Sequence, residues 1–176
     1  SAALGGISTV LGRGDANAAL TNPASTADIQ NLSLSGSQMN WIADISYYSG
    51  AVVKNFDTWG IFGISINSLD YGDMVRTENV EQFGPGGETL GRTQPNLDLG
   101  TFSGGDLSVG LSYGRRITDR LQVGGTARYF QETLDNAKTG NWAIDIGTYY
   151  YTGIKSFRIA MLGQNFGPDT EFTKFD

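Results

Sequence analysis

The chain has 176 residues, with 12 Lys and Arg against 18 Asp and Glu, and it contains neither histidine nor cysteine. That composition excludes a disulfide framework, thiol or imidazole chemistry and a basic nucleic-acid surface, and no run approaches the ~20 apolar residues of a membrane-spanning helix. Its 25 Gly, eight Tyr and nine Phe, with only four Pro, suit long twisted strands carrying aromatic borders.

Residues 1–30 are rich in Ala, Gly, Ser and Thr and show no strand periodicity. Leu4-Gly5-Gly6-Ile7 predicts a short strand, and residues 13–20 a turn followed by a helical turn. The tripeptide Arg13-Gly14-Asp15 reads as a tight turn with an exposed charge pair. Asn22-Pro23-Ala24-Ser25 is a helix start, because Asn22 can cap and Pro23 suits the first helical position, where its missing N–H costs nothing.

Strands are expected at 32–39, 41–54 and 59–70. The first is short and mainly polar. In the second, Ala43, Ile45, Tyr47, Ala51 and Val53 alternate with Asp44, Ser46 and Tyr48, and in the third Phe62, Ile64 and Ile66 alternate with Ser65 and Asn67. From 71 to 105 no alternation is sustained, and Phe83-Gly84-Pro85-Gly86-Gly87-Glu88 is turn composition, so this stretch is expected to be one long loop.

The clearest pattern lies between 106 and 151. Leu107, Val109, Leu111 and Tyr113 form one apolar face, Leu121, Val123, Ala127 and Tyr129 the next, and Trp142, Ile144, Ile146 and Tyr150 a third. The opposite face carries Gly, Ser, Thr, Arg128, Phe130, Asp145 and Tyr149. A soluble sandwich would fill the apolar face with a second sheet, whereas a transmembrane barrel sets it against lipid, with aromatics at the headgroups and small residues and isolated charges in the lumen. The thin, glycine-rich polar face favours the barrel. So do the turns, expected to be short at 118–120 and 152–156 and longer at 135–141, on the same side as the 71–105 loop.

Another strand is expected at 157–165, giving about seven, an odd number that suits part of a barrel better than a closed one. The candidate lumen residues are Asp44, Tyr48, Arg128, Phe130, Asp145 and Tyr149. Asp44 and Asp145 could be imagined as an acid–base pair, but a lumen charge needs a partner before it needs a substrate, so Asp145 is expected to pair with Arg128 or with backbone amides. No nucleophile elbow, phosphate loop or metal-ligand spacing occurs, and neither an enzyme nor a cofactor is expected.

The Asn22-Pro23-Ala24 segment followed by Trp41-Ile42-Ala43-Asp44-Ile45 resembles the PorV/PorQ family of outer-membrane proteins, relatives of the FadL fatty-acid transporters. Leu4-Gly5-Gly6, Asp15-Ala16, Gly60-Ile61-Phe62-Gly63-Ile64-Ser65 and Ala143-Ile144-Asp145-Ile146-Gly147 carry further likeness. Ala3-Leu4 stands where the family has Gly-Met, and Thr21 where it has an aromatic. The resemblance implies an all-β, antiparallel up-and-down transmembrane barrel, here partial, in a bacterial outer membrane. Residues 1–30 would be a hatch inside it, with Asn22, Pro23 and Ala24 against the wall, and residues 31–176 its strands. It implies contact with outer-membrane lipid and a secretion-accessory role toward cargo or machinery of type IX secretion. The alternatives are a FadL-like channel for hydrophobic small molecules and a soluble or self-assembling structural β-protein.

Overall fold

The computed structural model describes residues 8–11, 14–42, 44–96, 98–168 and 173–174. The chain is all-β and built on an antiparallel meander. The main sheet holds eight strands: β1 (Leu32–Asn40), β2 (Ser46–Asn55), β3 (Ile61–Val75), β6 (Thr101–Arg116), β7 (Leu121–Leu134), β8 (Ala137–Tyr151), β9 (Arg158–Phe166) and the short β10 (Thr173–Lys174). They follow one another in space, except that β9 and β10 share the far edge of β8. Two further strands, β4 (Glu78–Phe83) and β5 (Thr89–Asn96), form a separate hairpin between β3 and β6. Among the described residues no helix is long and apolar enough to cross a membrane.

The region expected as a loop at 71–105 is therefore mostly strand. β3 runs on past a register shift to Val75, β6 starts at Thr101 against it, and the β4–β5 hairpin projects beyond them. Alternation is missing there because the hairpin has no buried face to impose it; nearly all of its residues are exposed. The expected longer connection at 135–141 is likewise a tight turn, with Leu134 opposite Ala137 and Asp135 at φ +53°. The strand expected from 41 begins only at Ser46. The strand expected at Leu4–Ile7 lies outside the described residues.

Antiparallel order puts the connections 56–60, 117–120 and 152–157 at one end of the sheet, and 41–45, 135–136 and the β4–β5 hairpin at the other. One face of the sheet, at the end away from the hairpin, is covered by the N-terminal segment: α1 (Ser8–Leu11), α2 (Ala18–Thr21) and a 3₁₀ stretch, Pro23–Asp28. Ala16, Ala19, Ala27 and Ile29 of that segment pack on Ala51 and Val53 of β2 and Ile61 of β3, forming the core. This core is made largely of methyl groups, so hydrogen bonds carry much of its specificity: Ala16 N–H donates to Ser33 Oγ (2.9 Å) and Asn55 Nδ2 to the Ile29 carbonyl (2.9 Å).

Among the described residues nothing covers the other face. One row across it reads Leu34, Val52, Ile64, Leu111, Ala127 and Ile144, in register on six strands. Leu34 is 69% exposed, Leu111 58% and Ile146 58%. With Phe62, Ile66, Val109, Tyr150, Ile159 and Met161 also open, the apolar patch is on the order of 1,000 Å², beyond the few hundred Å² normal for a soluble monomer. Aromatics border it. Phe56 meets Phe62 edge to face at 5.7 Å and Phe62 meets Tyr113 at a tilt at 5.0 Å, with Tyr150 continuing the same border on β8, and Tyr129 lies tilted against Trp142 at 5.0 Å on the hairpin side. On β8 the band from Trp142 to Tyr150 measures about 26 Å along the strand.

Candidate functional site

The Asn-Pro-Ala segment lies on a row of three glycines. Gly114, Gly124 and Gly147 are cross-strand neighbours on β6, β7 and β8, all on the covered face. A Cβ on Gly124 would fall 2.5 Å from Ala24 N and 2.6 Å from the Pro23 carbonyl oxygen; one on Gly114 would meet Thr26 and Pro23, and one on Gly147 would meet Asn22. Glycine is required here by close backbone approach, not by backbone angle. The residues set on this seat are small and fully buried: Pro23, Ala24, Ser25 and Thr26.

Asn22 organises the segment. Its Oδ1 accepts from Ala24 N–H (3.1 Å), the cap expected from sequence, while its Nδ2 reaches the Thr148 carbonyl (3.4 Å) and the Thr9 carbonyl (3.3 Å). Thr26 Oγ1 closes the turn by donating to the Pro23 carbonyl (2.7 Å). The cap begins a 3₁₀ stretch, whose slimmer cross-section suits the narrow gap over bare backbone.

Asp28, at the end of that stretch, was not legible as a site residue, and it ties the segment to three strands at once. Its Oδ1 accepts from Arg116 Nη2 of β6 and Gln122 Nε2 of β7, both at 2.7 Å, and its Oδ2 accepts from the Tyr151 hydroxyl of β8 at 2.7 Å. Gln122 is 1% exposed, so losing the acceptor strands a buried donor. Asp28→Ala should cost about 2–4 kcal/mol in denaturant unfolding, more than a surface carboxylate would, with Asp28→Asn falling between it and the parent. An Asp28→Ala loss below ~0.5 kcal/mol would show that the contact is incidental.

The six residues expected to share a lumen face divide. Arg128, Phe130, Asp145 and Tyr149 lie on the covered face. Asp145 is 1% exposed and pairs with Arg128, Nη2 to Oδ2 at 2.8 Å, while its Oδ1 accepts from Asn165 N–H at 2.9 Å, where β9 shifts register and Asn165 turns to φ +61°. Tyr149 is fully buried; its hydroxyl donates to the Val10 carbonyl (3.0 Å) and accepts from Arg158 Nη1 (3.4 Å). Phe130 is half-buried towards the hairpin end.

Tyr48 is a correction: it sits on the bare face, exposed, opposite Gln38 and Ser68. The cause is that β2 is apolar on both faces, with Ala51 and Val53 under the N-terminal segment and Val52 outside, so its side chains gave the wrong phase. Asp44 is a second correction. It lies in the 41–45 connection at φ +57°, exposed and four strand positions from Asp145, so the two carboxylates are not brought together. Among the described residues no group of three carboxylates converges as a metal cage would need. What the arrangement does chemically is fix a polar segment onto a sheet. No family model matches the chain, and no curated protein matches it in sequence.

Proposed function

We propose that this chain is the wall and hatch of a transmembrane β-barrel of the PorV/PorQ type in a bacterial outer membrane, acting as a secretion-accessory or cargo-binding surface protein. The observation that carries the reading is the bare apolar face, uncovered by any second layer among the described residues and bordered by aromatics on both sides. Lipid is the solvent that makes such a face favourable. The N-terminal segment, seated on the Gly114–Gly124–Gly147 row, is the hatch. The β4–β5 hairpin, standing clear of the sheet, is the surface offered to cargo or secretion machinery.

The test is fractionation of the whole protein in a Gram-negative host. It should resist carbonate extraction, require detergent for solubility and expose the hairpin to protease added outside intact cells. Removing residues 76–100 should abolish partner capture and leave the membrane address intact. Recovery as a monodisperse soluble protein without detergent would overturn the reading in favour of a structural β-protein. A second reading, passage of hydrophobic molecules, is favoured by one feature: Met39, Trp41, Ile45, Tyr47 and Leu69 line a half-open apolar pocket of about 260 Å³ beside the edge of β1. Lipid or detergent copurifying in that cavity would speak for it.

A further inference from the structure

The three connections at the end away from the hairpin share a composition that water-facing turns do not need. Each sets bulky apolar side chains beside a cation. In 56–60 these are Phe56 and Trp59 next to Lys54, whose Nζ lies 5.0 Å from the Phe56 ring centre. In 117–120 Ile117 stands between Arg115 and Arg120, and in 152–157 Ile154 and Phe157 flank Lys155. Trp59 is 77% exposed and Ile154 70%. Surface turns ordinarily favour Gly, Asn, Asp and Ser.

The four cations are exposed, and the ion pairs found among the described residues, Arg76–Asp135, Arg116–Asp28 and Arg128–Asp145, involve none of them. Two exposed acids, Asp57 and Asp119, share these turns. The hairpin end has the opposite character: Asp44, Asp70, Asp73, Glu78, Glu81, Glu88 and Asp98 outnumber Arg76, Arg92 and Lys138. Lys54 and Arg115 point outward at the border of the apolar band, since Lys54 pairs with Phe62 and Arg115 with Val123.

We infer that this end is an interfacial anchor for a leaflet of anionic phospholipid, with Trp59, Ile117, Ile154 and Phe157 inserted at the glycerol level and Lys54, Arg115, Arg120 and Lys155 on the headgroup phosphates. The inference rests on the membrane reading above. An apolar body with a cationic tip matches the step from acyl chain to phosphate. Each cation near such a surface gains from the negative potential, and the gain vanishes within a screening length.

The test uses the whole protein reconstituted in phosphatidylcholine bilayers containing either spin-labelled phosphatidylglycerol or spin-labelled phosphatidylcholine, reading the motionally restricted fraction. Phosphatidylglycerol should associate about threefold more than phosphatidylcholine. The preference should fall to parity in about 1 M salt, where the screening length is ~3 Å. It should also disappear in K54Q/R115Q/R120Q/K155Q, and persist both in the charge-conserving K54R/K155R and in the hairpin-end variant E78Q/E81Q/E88Q. Equal restriction of the two lipids would overturn the anchor and leave the membrane reading standing. So would a preference that survives in the four-site variant, or one erased by inorganic phosphate at constant ionic strength, which marks a free-anion site. Restriction of neither lipid would overturn both.

Discussion

Replacing Gly124 with valine should unseat the N-terminal segment while leaving the strands paired. The side chain would project from the turn-proximal first residues of β7 into the backbone of Pro23 and Ala24, with its Cβ already 2.5 Å from Ala24 N. Overpacking a well-packed core typically costs about 1–3 kcal/mol. Here the obstructed atoms are main chain, buried and held by Asn22, so relief requires the segment to lift away. Lifting it also breaks the three Asp28 bonds at the neighbouring end of the same stretch. The expected loss is therefore at the top of that range, about 3 kcal/mol. It should be accompanied by at least tenfold faster protease cleavage between residues 14 and 30 and unchanged far-ultraviolet strand signal. Gly125→Ala is the control. Its Cβ would face the bare side and meet only the Asp145 carbonyl oxygen, at 3.4 Å. Continued protection of residues 14–30 in Gly124→Val would mean that the glycine row is not their seat.

That row shows where sequence reading stops. The three glycines sit at the same phase of three alternating patterns, so their facing is visible in the sequence. Their alignment is not, because it depends on turn length. Gly114 meets Gly124 through the 117–120 connection, whose extent is readable from Thr118-Asp119-Arg120. Gly124 meets Gly147 only if the next turn is the two residues Asp135 and Asn136. Reading that turn as 135–141 slides the pairing and scatters the row. Arg128, Asp145 and Tyr149 were legible because the aliphatic residues Leu121, Val123, Ile144 and Ile146 of their strands hold one alternating phase. Tyr48 was not, because β2 is apolar on both sides. Asp28 gave no signal: a lone carboxylate after an Ala-rich stretch acquires meaning only when Arg116, Gln122 and Tyr151, far apart in the chain, arrive beside it. The β4–β5 hairpin was hidden by Pro95 and the Gly84–Gly87 turn, and by having no core to order its side chains.

Leu111→Arg carries the largest consequence for the whole interpretation, because the two environments available to this residue predict different magnitudes. Leu111 is 58% exposed in the centre of the bare face, flanked in register by Ile64 and Ala127. On the surface of a soluble sheet an exposed leucine replaced by arginine changes stability by no more than about 0.5 kcal/mol, and solubility rises. In the middle of a hydrocarbon layer the same change costs about 2–4 kcal/mol, because the guanidinium must be desolvated or drag water and headgroups inward. The penalty should fade with depth. Arginine at Ile144, in the same row, should cost nearly as much as at Leu111, whereas arginine at Tyr150, on the aromatic border, should cost about 1 kcal/mol or less. Chemical unfolding of the protein folded into phosphatidylcholine vesicles measures all three. A penalty graded from the centre of the band to its borders is the signature of lipid on this face. Three small and equal values would mean that water lies there instead, and the outer-membrane reading would fall with it.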